Sequence, residues 1–193
     1  MSTRLLDAAK RNLKLYGFGI KSFTLSMIET AVEVTDATVP GHVVAEILSF
    51  GRALQSHPIE MLPHARETVE ALAGSYRLVL ITKGDLFDQE RKIAQSGVGE
   101  LFDAVEIVSD KDVSTYARIF SRHGDRPEQG MMVGNSLKSD IVPAIEAGSW
   151  GVYVPHELTW AAEHADAPDA HPRFRQIEHL GQLGAMIAEI EGR

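Results

Sequence analysis

Between Arg77 and Val154 the chain alternates short apolar runs with stretches of helical spacing, and this alternation limits the fold more than any other feature. Arg77–Thr82, Ala104–Ser109, Gly130–Gly134 and Trp150–Val154 read as strands. Leu86–Ser96, Val113–His123 and Asp140–Ala147, lying between them, read as helices. In Leu78-Val79-Leu80-Ile81 the apolar residues follow one another with no polar alternate, as in a strand covered on both faces. Strands joined by helices of this length run parallel, because a helix carries the chain back to the starting edge. The expected class is α/β: a Rossmann-like parallel sheet with helices on both faces.

Upstream of Pro58 the texture differs. From Arg4 to His57 apolar residues recur at spacings of three and four: Leu5, Ala8, Leu13 and Leu15, then Phe23, Met27, Ile28 and Ala31, then Val44, Ile47, Leu48, Phe50 and Leu54. Tyr16-Gly17-Phe18-Gly19 and the turn from Asp36 to Gly41 interrupt the pattern. Residues 1–57 are thus expected to be a helical segment and 58–193 an α/β core. A helix over His64–Ala73, ended by Gly74, opens the core, and Phe174–Ile177 and Leu180–Ile190 supply a late edge strand and a closing helix. Trp150 is expected in the core, and Trp160 beneath the tail or on a contact surface.

Composition excludes several functions. A net charge of −8 argues against nucleic acid or an anionic membrane as partner. The absence of cysteine removes disulfides and thiolate metal sites and agrees with a reducing, cytoplasmic setting. The eight histidines are scattered without a metal-binding pair.

Ligands of such sheets bind beyond the carboxyl ends of the strands. At the first end stand Thr82, Lys83 and Gly84, a hydroxyl and backbone N–H groups at a helix start, suited to an anion. Beyond the second stands Lys111, able to neutralise a phosphate or carboxylate. Beyond the third, in "GNSLKSD", Asn135, Ser136 and Asp140 offer hard oxygen donors of the kind Mg²⁺ takes. Each set alone also reads as helix capping, with Asp85, Asp112 and Asp140 as the caps. Their coincidence at three successive strand ends favours one phosphoryl site.

With these motifs the chain resembles the haloacid dehalogenase (HAD) superfamily, whose members are mostly phosphatases, over about Ile59–Leu180. Thr82 in "LVLITKGD" is similar to the second family motif, Lys111 in "VSDKD" to the third, and Asn135 and Asp140 in "VGNSLKSD" to the fourth. Residues Arg4–His57 resemble a helical cap. The resemblance implies that Thr82 and Lys111 are catalytic, that Thr82, Lys83 and Gly84 bind phosphate, and that Asn135 and Asp140 hold Mg²⁺. Asn135 stands where the family commonly has Asp. The implied reaction is hydrolysis of a small phosphorylated metabolite through an aspartyl-phosphate. Tyr16, Phe18 and Lys21 would be cap residues, with hinge or core packing as the plainer role.

The family's first motif, Asp-x-Asp-x-Thr at the end of a strand before the cap, has no counterpart at that position. The expectation is that the start lies too late, so that the nucleophilic aspartate and its strand, between those ending at Thr82 and Gly134, are missing. Asp110-Lys111-Asp112-Val113-Ser114 imitates the motif but follows Thr82 instead of preceding it. The alternatives are a metal-independent 2-haloacid dehalogenase and a non-catalytic scaffold on the same fold.

Overall fold

The computed structural model describes residues 3–157, 163 and 165–192, so Trp160 and His164 lie outside the described residues. The helical elements begin with α1 (Thr3–Tyr16), α2 (Ile20–Val34), α3 (Gly41–Ser56) and α4 (Ala65–Leu72). Then follow β1 (Val79–Lys83), α5 (Leu86–Ser96), β2 (Ala104–Val108), α6 (Val113–His123) and β3 (Met131–Gly134). The chain continues through α7 (Val142–Glu146), β4 (Trp150–Tyr153), β5 (Phe174–Gln176) and α8 (Leu183–Glu191). It falls into two compact units, Met1–Ile59 with Lys83–Gln95, and Glu60–Thr82 with Ser96–Arg193.

In the first unit Gly17 and Gly19, at φ +73° and +135°, break α1 from α2. The buried residues are small: Ala8, Ala9, Ser22, Thr24, Ser26 and Gly51. A Cβ at Gly51 would lie 3.0 Å from Thr24 Cγ2, so α2 and α3 approach through that glycine. Asn12 is buried as well, and its amide donates to Ser26 Oγ (3.1 Å) and Glu29 Oε2 (2.6 Å). Leu15 and Phe50, which the spacing assigns to packed faces, are 73% and 53% exposed. Close approach through small side chains fills these interfaces and leaves the large ones at the rim.

In the second unit β3, β4 and β5 form a parallel sheet in that order, with Met131 beside Trp150 and Gly151 beside Phe174. Alternate side chains go to opposite faces. Met131 and Val133 join Val152, Leu72, Leu183 and Met186 on the α4/α8 face. Met132 joins Tyr116, Phe120 and Ala144 on the α6/α7 face. Helices thus cover both faces. Gly151 admits α7, since a Cβ there would lie 2.8 Å from Ile145 Cγ1. Trp150 is only half-buried, its ring covered by the Arg175 guanidinium at 5.0 Å.

β1 pairs with β2 in a separate two-stranded sheet. Asp103 N–H donates to the Leu78 carbonyl at 2.8 Å, so the starts of the two strands lie side by side and they run parallel. The continuous sheet expected from the sequence is therefore two sheets among the described residues, and β1 and β3 pair with no common strand. Ile81 of β1 nevertheless packs on the Tyr116–Met132–Ala144 cluster, so both sheets share that core. No helix among the described residues is long and apolar enough to cross a membrane.

Candidate active site

Lys111 and Asp140 meet. Lys111 leaves the end of β2, Asp140 follows β3, and Lys111 Nζ donates to Asp140 Oδ1 at 2.8 Å, with side chains 11% and 7% exposed. Asp140 is held from the other side by Ser136 N–H, which donates to Oδ2 at 3.0 Å.

The segment between β3 and α7 explains this placement. Leu137–Ile141 is a single π-helical turn, in which both Asp140 and Ile141 N–H donate to the Ser136 carbonyl, at 2.8 and 3.1 Å. Such turns add a residue to the helix and recur at functional sites. The cap is Ser136, whose Oγ accepts from Ser139 N–H at 3.0 Å; the alternative in which Asp140 is the cap does not hold. Pro143, having no N–H, cannot bond the Ser139 carbonyl one turn back. Tyr116, fully buried on α6, donates its phenol to that carbonyl at 3.0 Å instead. Burial first, then the nearby charges of Asp140 and Glu163, push the phenol well above its ordinary value, which keeps it a donor. Glu163 Oε2 accepts from Ser136 Oγ at 2.6 Å and from Ser139 Oγ.

The remaining predicted residues are placed as follows. Thr82 is the penultimate residue of β1, at the carboxyl end of the strand that pairs with β2. Lys83 belongs to the first unit, where its ammonium sits 4.1 Å over the Phe18 ring. Gly84 has φ +146°, and a Cβ there would come within 2.9 Å of Gln89 Nε2. In the same unit Lys21 pairs with Asp85 at 2.9 Å, which holds the Asp85 carboxyl below its ordinary value, and Asp85 also accepts from Asp88 N–H. Asn135 is exposed at the end of β3.

The imitation motif is accounted for locally. Asp112 caps α6 by accepting from Thr115 N–H at 2.7 Å, and Asp110 Oδ1 accepts from Lys111 N–H. Among the described residues no three His, Cys, Asp or Glu gather as a metal site. Asp140 and Asn135 still suit Mg²⁺, a hard ion that accepts one or two carboxylate or carbonyl oxygens and fills its shell with water and substrate oxygen.

A sequence model of the haloacid dehalogenase-like hydrolases matches residues 4–148. The chain belongs to this family. A HAD-like family hydrolase from Xanthomonas campestris, known from its crystal structure, is 42% identical and superposes with a TM-score of 0.88 over 100% of this chain and 77% of that one. A glyceraldehyde 3-phosphate phosphatase from Methanothermobacter thermautotrophicus is 31% identical over 99 residues, 48% of this chain and 43% of the phosphatase. The chain thus matches less than half the length of that curated relative. The 2-haloacid dehalogenase of Pseudomonas syringae shares the HAD fold at 17% identity, with a TM-score of 0.60 over 98% of this chain and 82% of the dehalogenase.

Sequence reasoning missed Glu163 and Tyr116. Pro143 was visible, but its release of the Ser139 carbonyl has meaning only once Tyr116 is seen to fill it.

Proposed function

We propose that this HAD-like chain carries the phosphoryl-binding and charge-offsetting part of a Mg²⁺-dependent phosphatase for a small phosphorylated metabolite. The observation that supports it is the 2.8 Å meeting of Lys111 and Asp140 beyond the ends of two parallel strands from different sheets. The likeness to a glyceraldehyde 3-phosphate phosphatase favours a phosphate ester over an organohalide.

In this reading Thr82 donates its hydroxyl to a phosphoryl oxygen, with backbone N–H groups around Lys83 and Gly84 beside it. Lys111 faces the equatorial oxygens, where fixed donors act most strongly on developing charge. Asp140 and Asn135 hold Mg²⁺, which when bound supplies further positive charge to those oxygens. The helical segment 1–57 serves as the cap that excludes water and selects the leaving group. The attacking aspartate of the family's first motif has no counterpart in these 193 residues. It would displace the ester alcohol from phosphorus, and water would then release phosphate and regenerate the carboxylate.

The test is turnover by the polypeptide extended to include the first-motif strand. Phosphate release from p-nitrophenyl phosphate is expected with Mg²⁺ and not with EDTA, and Asp140→Ala is expected to lower kcat by roughly 10²-fold or more. Halide release from 2-chloropropionate without metal would establish the dehalogenase instead. Turnover of neither would leave a scaffold.

A further inference from the structure

Ser136 and Ser139 do not bond as the other helical hydroxyls do. On α2, Thr24, Ser26 and Thr30 each donate to the carbonyl four residues back, at 2.8 Å, the ordinary local solution. Ser136 and Ser139 both donate to one carboxylate oxygen, Glu163 Oε2, which comes from the segment after β4. Ser136 Oγ accepts Ser139 N–H at the same time, so its proton needs an outside acceptor. Bonds to an ionised acceptor are shorter and stronger than neutral ones. Glu163 therefore grips both ends of the four-residue span 136–139, whose next residue is Asp140.

The chain of contacts continues inward. Ser136, fixed through its hydroxyl, presents its N–H to Asp140 Oδ2, and Asp140 Oδ1 receives Lys111. Tyr116 fixes the Ser139 carbonyl from the opposite side. We infer that Glu163 is a positioning residue: through the hydroxyls of Ser136 and Ser139 it sets the π-turn that holds Asp140 against Lys111. Its consequence for catalysis rests on the phosphatase reading, whereas the geometry itself does not.

Lys111 reports on this directly. Its acetylation by acetic anhydride in the full chain, read by mass spectrometry relative to the exposed Lys10, is slow while the amine stays paired and largely buried. Glu163→Ala is expected to speed it roughly tenfold, towards the rate of Asp140→Asn. Glu163→Gln keeps an acceptor oxygen and is expected to stay within about twofold of the parent. Ser149→Ala removes another buried serine of this segment, which donates to the Ala144 carbonyl at 2.8 Å, and should lower the melting temperature without moving the Lys111 rate. A parental rate in Glu163→Ala, or an equal acceleration in Ser149→Ala, would overturn the inference. Should Glu163→Ala fail to fold, Ser139→Ala carries the same expectation. The readout is independent of turnover. An accelerated Lys111 with no phosphate release would sink only the phosphatase reading, and the reverse result only the positioning role.

Discussion

Gly134 sits where one added methyl group would meet the carboxylate that the site depends on. A Cβ there would lie 2.6 Å from Asp140 Cγ and 2.7 Å from its Cβ, and it could be relieved only by moving Asp140. Gly134→Ala is expected to cost about 1–3 kcal/mol, as overpacking does. Urea unfolding measures that loss, and Lys111 labelling should rise with it because the displaced carboxylate leaves its partner. An unchanged midpoint would mean that the strand end has room the structure does not show. Lys111 and Asp140 were legible in the sequence because charged groups immediately after apolar strands have few places to go. Glu163 was not. It meets Ser136 across 27 residues of chain, and no local period links such positions. Asp112 misled in the other direction, since a carboxylate two residues from a lysine imitates a nucleophile and turns out to cap α6.

Element boundaries were legible where a cap or an abrupt change of polarity marks them. Leu86–Ser96 and Val113–His123 are helices over the residues the spacing predicts. The π-turn was not legible, because its cause is a proline whose orphaned carbonyl is satisfied by another helix. The fit of α6 to β2 is likewise tertiary. Glu106 of β2, with its side chain 11% exposed, accepts from His123 Nε2 at 2.6 Å and from Arg122 Nη1 at 3.1 Å. The bond from His123 does most to hold the Glu106 carboxyl below its ordinary 4.5, against the opposing effect of burial. A carboxyl with a depressed folded value stabilises the fold above its unfolded value, and that contribution disappears as pH falls through the folded value. The urea midpoint of the chain is thus expected to drop as pH is lowered below about 4.5. Glu106→Gln should lose about 1–3 kcal/mol near neutrality and flatten that part of the pH profile. Equal pH slopes in both proteins would show that the α6–β2 contact does not depend on this charge.

At the scale of the molecule, what most affects behaviour is the interruption between β1 and β3. In β4 the N–H groups of Trp150 and Val154 donate to the carbonyls of Gly130 and Gly134. Backbone groups alternate sides along a strand, so Met132 and Gly134 face β4, while Met131 and Val133 direct theirs to the opposite edge. The same argument from Asp103 and Leu78 sends the backbone groups of Val79 and Ile81 away from β2. Neither edge pairs with a third strand among the described residues. Burial agrees: no residue of β1 is fully buried despite its apolar run, whereas Gly151 and Val152 of β4 are. The sequence anticipated the parallel strands and both helical faces, because those follow from local period. It could not show that the strands divide into two sheets, because that depends on which edges find partners. Hydrogen exchange resolves the point residue by residue. The Met131 and Val133 amides are expected to exchange at least about 10²-fold faster than those of Met132 and Gly134, since only the latter are held in the ladder. Uniform protection along β3 would mean that its outer edge is already paired, and the two-sheet description would have to be abandoned.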